Sequence, residues 1–206
     1  MAAEFFYFDM GNVLLHFDHH RAARQIAEVA GTSEEAVWEA LFESDLELRY
    51  EAGEMNTGQF YETFCEMTGT RADIKALSHA ASAIFEVNFP MIRVVAQLQG
   101  AGHRTGILSN TNEIHWQYVC DGRYGLFPDS FDANALSYQI GCNKPEAKIY
   151  TRAAELAGVA PAEILYVDDK QENVDGAREA GMDAVLYTTT AGYVDELLNR
   201  DVWFGG

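Results

Sequence analysis

The chain has 206 residues, enough for one large domain or a core carrying an insertion, and its 48% hydrophobic and 22% charged residues exclude a disordered, collagen-like or coiled-coil chain. Lys and Arg number 14 against 32 Asp and Glu, for a formal charge of −18. A chain this acidic is repelled by nucleic-acid backbones and anionic membrane surfaces, so neither is an expected partner, and an anionic substrate would need a local cation to reverse the field.

Phe5-Phe6-Tyr7-Phe8 reads as a short buried strand that runs into Asp9-Met10-Gly11. Residues 16–87 carry helical spacing throughout, as in Ala22, Ile26 and Val29 or Phe60, Phe64 and Met67, with Thr32 or Ser33 as a helix N-cap. After Phe89-Pro90 strands and helices alternate. The expected order is a helix over 91–99, a strand over 103–108 leading into Ser109-Asn110-Thr111-Asn112, and a helix over about 113–124. An extended stretch within 131–138, a helix over 146–158 and a strand over 164–167 ending in Asp168-Asp169 come next. A helix over 173–181, a strand over 184–187 and a last helix near 193–199 follow, and the apolar end Trp203-Phe204-Gly205-Gly206 docks on the core or frays.

Alternation across 1–15 and 89–206 predicts an α/β fold, a doubly wound parallel sheet with helices on both faces. The helical stretch of about 70 residues between the first strand and the rest is too long for a crossover, so residues 16–88 are expected to form an inserted α-helical cap over the active face. Cys65, Cys120 and Cys142 make no zinc or CxxC spacing, which suits buried thiols in a reducing cytosol. The start Met-Ala-Ala-Glu lacks the basic region of a signal peptide, and no run is apolar and long enough to span a membrane; the expected location is cytoplasmic.

Ligands of open parallel sheets bind beyond the carboxyl ends of the strands. Three strands end there in polar groups: Asp9, Ser109-Asn110 and Asp168-Asp169. Adjacent carboxylates repel one another unless a cation lies beside them, and with Asp9 they make a hard, oxygen-rich site suited to Mg²⁺. The bland alternative is that Asp168-Asp169 caps the next helix. Lys144, next to Pro145 at a helix start, is either a phosphate anchor or one more solvated lysine.

Taken together, Phe8-Asp9-Met10-Gly11-Asn12-Val13-Leu14, Leu108-Ser109-Asn110-Thr111-Asn112, Lys144-Pro145-Glu146 and Val167-Asp168-Asp169 with Asn173 resemble, in order and spacing, the motifs of the haloacid dehalogenase superfamily, whose core is Rossmannoid. The first motif looks closest to bacterial sugar-phosphate phosphatases of the α-D-glucose-1-phosphate phosphatase kind. The resemblance implies a Mg²⁺-dependent phosphatase of a small phosphorylated metabolite, with Asp9 as the nucleophile that forms an aspartyl-phosphate. It implies a metal held by Asp9, the Gly11 carbonyl and Asp169, with Asp168 orienting a water ligand. Ser109 and the Asn110 backbone would hold the phosphoryl group, Lys144 would supply positive charge, and Asn173 would fix the fourth loop or reach Lys144.

Gly11 breaks the pattern. Phosphatases of this superfamily usually carry an acid/base Asp two residues after the nucleophile, and losing such a group costs ~10²–10⁴-fold. Either the leaving group departs with little help, or His16, Asp18, His19 or His20 supplies the proton, or the protein is a weak or inactive phosphate-binding relative. A metal-independent 2-haloacid dehalogenase using the same aspartate is the other alternative. In the insertion, Arg49, Tyr50, Glu51 and Glu54 surround Gly53, a turn that faces the core; Arg49 either grips substrate or sits in a surface ion-pair cluster.

Overall fold

The computed structural model describes residues 3–203. Strand β1 (Phe5–Phe8) is buried on both faces, as a central parallel strand must be. It pairs in parallel with β4 (Arg104–Ser109) on one side and β6 (Ile164–Asp168) on the other. Strands β5 (Ala133–Leu136) and β7 (Asp183–Leu186) complete the sheet in the order β5-β4-β1-β6-β7. Phe6 and Phe8 pack on one face under α6 (Phe89–Gly100) and α11 (Thr190–Asn199); Phe5 and Tyr7 pack on the other under α9 (Ala147–Ala157) and α10 (Gln171–Glu179). The fold is therefore the expected α/β sheet wound on both sides, with a helical insertion.

Register places the chemistry. Phe8 lies opposite Ile107 and Val167, so one step further Asp9 comes level with Leu108 and Asp168. The polar residues of three strand ends thus meet without any long excursion of the chain.

The insertion leaves and returns through a two-strand antiparallel ribbon, β2 (Leu15–His16) and β3 (Glu86–Val87), too short to show as alternation in the sequence. Asn88 ties this neck to the sheet, its Nδ2 donating to the Val13 carbonyl and the Tyr187 hydroxyl, both at 2.8 Å. Between the two strands lie α1 (His19–Ala30), α2 (Glu34–Trp38), a π-helical turn (Glu39–Glu43), α3 (Leu46–Glu51), α4 (Thr57–Thr68) and α5 (Ile74–Ser82). They enclose their own core around Ile26, Val37, Leu46, Tyr50, Phe64 and Leu77. Side-chain caps start most of them: Asp18 for α1, Ser33 for α2, Asn56 in a capping box with Gln59 for α4, and Asp73 for α5, each cap worth ~1 kcal/mol.

Several expectations are revised. The helix expected over 113–124 is α7 (Glu113–Val119), after which the chain runs in turns. The extended stretch expected within 131–138 is β5, which ends at Leu136; Tyr138 belongs to a short helix, α8 (Ser137–Ile140). Val29 and Met67, placed on apolar stripes, are exposed. Cys65 and Cys142 are buried and free, but Cys120 is only half-buried. Trp203 is exposed, with its carbonyl near His103 Nε2, and Phe204-Gly205-Gly206 lies outside the described residues. Among the described residues, no helix is long and apolar enough to cross a membrane.

Candidate active site

Asp9, Asp168 and Lys144 form the centre of the site, all nearly inaccessible to solvent. Lys144 Nζ lies 3.0 Å from Asp9 Oδ1 and 2.7 Å from Asp168 Oδ2, and also donates to the Leu108 carbonyl (3.2 Å) and the Tyr166 hydroxyl (2.9 Å). Burial acts to lower its pKa, but Asp9 and Asp168 outweigh burial and raise it, so Lys144 stays protonated. The loop that carries it is clamped by Asn110, whose Oδ1 accepts from Lys144 N–H at 2.7 Å and whose Nδ2 donates to the Lys144 carbonyl at 3.2 Å.

The three carboxylates have different surroundings. Asp168 is saturated: it accepts from Lys144, from the Tyr166 hydroxyl, from Lys170 N–H (2.8 Å) and from Asn173 Nδ2 at 3.0 Å on each oxygen. Burial works to raise its pKa, and these donors, Lys144 foremost, overcome burial and hold it below the usual carboxylate range. Asp9 is the converse. Its Oδ1 accepts from Met10 N–H at 2.7 Å and faces Lys144, yet burial, with Asp168 and Asp169 adding to it, pushes its carboxyl up to about 7 against the pull of Lys144. Asp169 is half-buried and accepts from Asn12 Nδ2 at 2.9 Å. Asn12 adopts a left-handed φ of 55°, which Asn tolerates better than most residues, and so turns the first loop toward the fourth.

Asp9, Asp168 and Asp169 each offer an oxygen, all within 4.8 Å of one another, against the single buried cation Lys144. That surplus of hard oxygen ligands fits a divalent cation such as Mg²⁺. The Gly11 carbonyl accepts from Val13 N–H at 2.7 Å and keeps a second lone pair.

A cavity of about 240 Å³ opens above these groups. Asp9, Asn110, Thr111, Lys144 and Asp169 line its floor, while Glu47, Leu48 and Glu51 of α3 form part of its wall. The Thr111 hydroxyl is buried there with no partner among the described residues. Helix α3 is held down by Asn143 Nδ2, which donates to the Leu48 carbonyl at 2.9 Å. Gly53, at φ 70°, approaches so closely that a Cβ there would lie 2.3 Å from the Tyr138 carbonyl oxygen.

Most sequence-expected residues converge here, but not all in the expected way. Ser109 is buried, donates to the Asn110 carbonyl at 3.2 Å and does not line the cavity. Asn173 donates to both oxygens of Asp168, the first of its two expected roles, and not to Lys144. Arg49 points outward and pairs with Glu54 (3.2 Å) and Asp45, a surface cluster. His16, Asp18 and His20 are exposed; Asp18 caps α1 and His20 stacks on Trp38, leaving His19 as the one of the four that lines the cavity. Sequence reasoning passed over Tyr166, Thr111 and Glu47. A buried strand tyrosine gives no outward signal, but Glu47 and Glu51 share an i, i+4 face that the helical pattern discloses once α3 is recognised.

Gly11 has a structural counterpart. A Cβ at this position would lie 2.8 Å from Phe17 Cε1, so the Phe17 ring stands where a side chain at position 11 would go.

Over 195 residues the chain is 23% identical to D-ribitol-5-phosphate phosphatase of Bacteroides thetaiotaomicron, covering 92% of this chain and 94% of that one. It is 30% identical to bifunctional epoxide hydrolase 2 of Rattus norvegicus over 131 residues, 60% of this chain but 23% of that protein. A haloacid dehalogenase-family enzyme of Bacteroides thetaiotaomicron, solved as a magnesium complex, superposes with a TM-score of 0.78 at 26% identity, covering 91% of this chain and 94% of that one. The haloacid dehalogenase-like hydrolase family profile matches residues 5–181, and the chain therefore belongs to the haloacid dehalogenase-like hydrolases.

Proposed function

We propose that the protein is a Mg²⁺-dependent phosphohydrolase of small phosphorylated metabolites, sugar or polyol phosphates foremost, working through a phosphoryl group carried on Asp9. The observation that carries this reading is the buried Asp9 held against Lys144, with a surplus of carboxylate oxygens beside them. The D-ribitol-5-phosphate phosphatase relative supports the substrate class. The likeness to α-D-glucose-1-phosphate phosphatases rests on the run Asp9-Met10-Gly11-Asn12-Val13, so a hexose phosphate and a pentitol phosphate are both within the proposal.

In this reading residues 16–88 are the cap that selects the leaving group, and 1–15 with 89–206 are the core that handles phosphorus. Asp9 Oδ1 is occupied by Met10 N–H and Lys144, which leaves Oδ2 to attack. Lys144 places positive charge beside the phosphoryl oxygens, and the unpartnered Thr111 hydroxyl supplies a donor where Ser109 is turned away. Asp168 and Asn173 hold Lys144 and the fourth loop in place. Asp9, Asp169 and the Gly11 carbonyl would hold Mg²⁺, which would supply the positive charge that a carboxylate needs to approach a phosphate ester.

The test is a panel of phosphorylated metabolites with Mg²⁺ and with excess EDTA, followed by acid quench and mass spectrometry of the peptide containing Asp9. Turnover that stops in EDTA, with a phosphoryl adduct on Asp9, is the expected result. Turnover that persists in EDTA, or halide release from 2-haloacids without metal, overturns it.

A further inference from the structure

We infer that Glu51, on the insertion helix α3, is the proton donor and acceptor at the leaving oxygen, in place of the acid that Gly11 cannot provide. The inference rests on the phosphohydrolase reading above. A proton donor must reach the ester oxygen on the side of phosphorus away from Asp9, the side on which the insertion closes the cavity. Glu47 and Glu51 both line that cavity, one helical turn apart on the same face of α3. Their positions are fixed by the Asn143–Leu48 hydrogen bond and by the close approach of Gly53 to Tyr138. Lys170, Lys144 and Asp9 act on the charge of Glu51, which also neighbours Glu47, whereas Glu51 and Lys170 act on Glu47; of the two carboxylates Glu51 is the one coupled to the reacting centre.

The other candidates fit the role less well. His16, Asp18 and His20 are exposed outside the cavity. His115 lines it, but burial drives its pKa to about 4 and it stays neutral. His19 is likewise lowered, by burial first and Lys170 second. Burial acts oppositely on Glu51 and lifts its carboxyl to about 7, against Lys170 and Lys144, so it carries a proton near neutrality and can give it up.

The two half-reactions balance. As the Asp9 Oδ2–phosphorus bond forms and the ester P–O bond breaks, the Glu51 proton passes to the departing alkoxide, which leaves as an alcohol. Glu51 carboxylate then takes a proton from water as the water oxygen bonds to phosphorus and the Asp9–phosphorus bond breaks, releasing inorganic phosphate and restoring protonated Glu51.

The experiment compares wild type, Glu51→Gln and Glu47→Gln, with Mg²⁺, on 4-nitrophenyl phosphate and on the best alkyl phosphate of the panel. Nitrophenolate leaves without a proton, so Glu51→Gln should release one nitrophenolate per chain in a burst and accumulate phosphoryl-Asp9. Its steady rate should then be ~10²-fold below wild type. On the alkyl ester it should show no burst and a loss of ~10²–10⁴-fold. Glu47→Gln should lose less than Glu51→Gln on the alkyl ester and show neither a nitrophenolate burst nor phosphoryl-Asp9 accumulation, since no proton passes through it. Glu51→Ala, partly rescued by added formate, separates the lost proton carrier from lost structure. Glu51→Gln turnover near wild type on both esters, without phosphoryl-Asp9 accumulation, overturns the inference and leaves the phosphohydrolase reading standing. Absence of both turnover and adduct in wild type overturns that reading and this inference with it.

Discussion

The floor and the wall of the cavity treat their carboxylates in opposite ways. On the floor, Asp168 is saturated with donors, Asp9 has Met10 N–H and Lys144, and Asp169 has Asn12. On the wall, Glu47 and Glu51 are held by burial and distant charge, with no hydrogen-bond donor among the described residues. A group that must stay still is tied down by donors; a group that must exchange a proton with whatever arrives is left untied. The contrast follows the chain's construction, because the floor is built from strand ends locked by sheet register and the wall from a short helix laid over them.

The largest effect that would break this contrast is at Asp9. Asp9→Asn should abolish both turnover and the phosphoryl adduct while near-UV circular dichroism stays native, because Lys144 keeps Asp168 as its partner. Turnover that survives would move the chemistry off the floor altogether. Next comes Lys144→Met, which leaves Asp9 and Asp168 facing each other without their buried cation. It should cost ~3–5 kcal/mol in urea unfolding, the range for breaking a buried pair on one side.

Gly11→Asp is a smaller intervention, and it adds a tied carboxylate to the floor. It forces the Phe17 ring aside and should destabilise by ~1–3 kcal/mol, as overpacking does. Gly11→Asp with Phe17→Ala should recover part of that loss and raise alkyl-phosphate turnover, read by chemical denaturation and steady-state kinetics.

The mildest probe is pH. Asp9 and Glu51, both raised to about 7, and Glu47, raised to about 8, hold their protons more tightly folded than unfolded. Their stabilising contribution is full below the ordinary carboxylate range and is lost as pH climbs through 7 to 8. Asp168, depressed, acts oppositely, and its contribution is lost only as pH falls below that range. Without divalent cation, Tm should therefore fall from pH 5 to pH 8; Mg²⁺ should raise Tm more at pH 8, where Asp9 is ionised. An equal Mg²⁺ effect at both pH values would place the cation away from Asp9.

Much of the fold was legible because its signals are local. The all-apolar run at Phe5–Phe8 and the alternation after Phe89 reveal a buried parallel sheet, and the strand-end residues Asp9 and Asp168 follow from where ligands bind such sheets. What stayed hidden depends on tertiary packing. A two-residue ribbon such as Leu15–His16 has no period to read. Ser109 turns onto its neighbour's carbonyl, a rotamer that no sequence records. Tyr166 looks like any strand aromatic until Lys144, 22 residues earlier, is brought against its hydroxyl. Glu51 could be placed beside a turn facing the core, but its place in the cavity wall required α3 to be docked.

The Phe17 ring beside Gly11 also constrains the order in which this site can change. A carboxylate gained at position 11 meets an occupied space, whereas a smaller residue at position 17 merely opens one. A stepwise path toward an aspartate at position 11 therefore runs through position 17 first, and a library that varies either site alone will miss the pair.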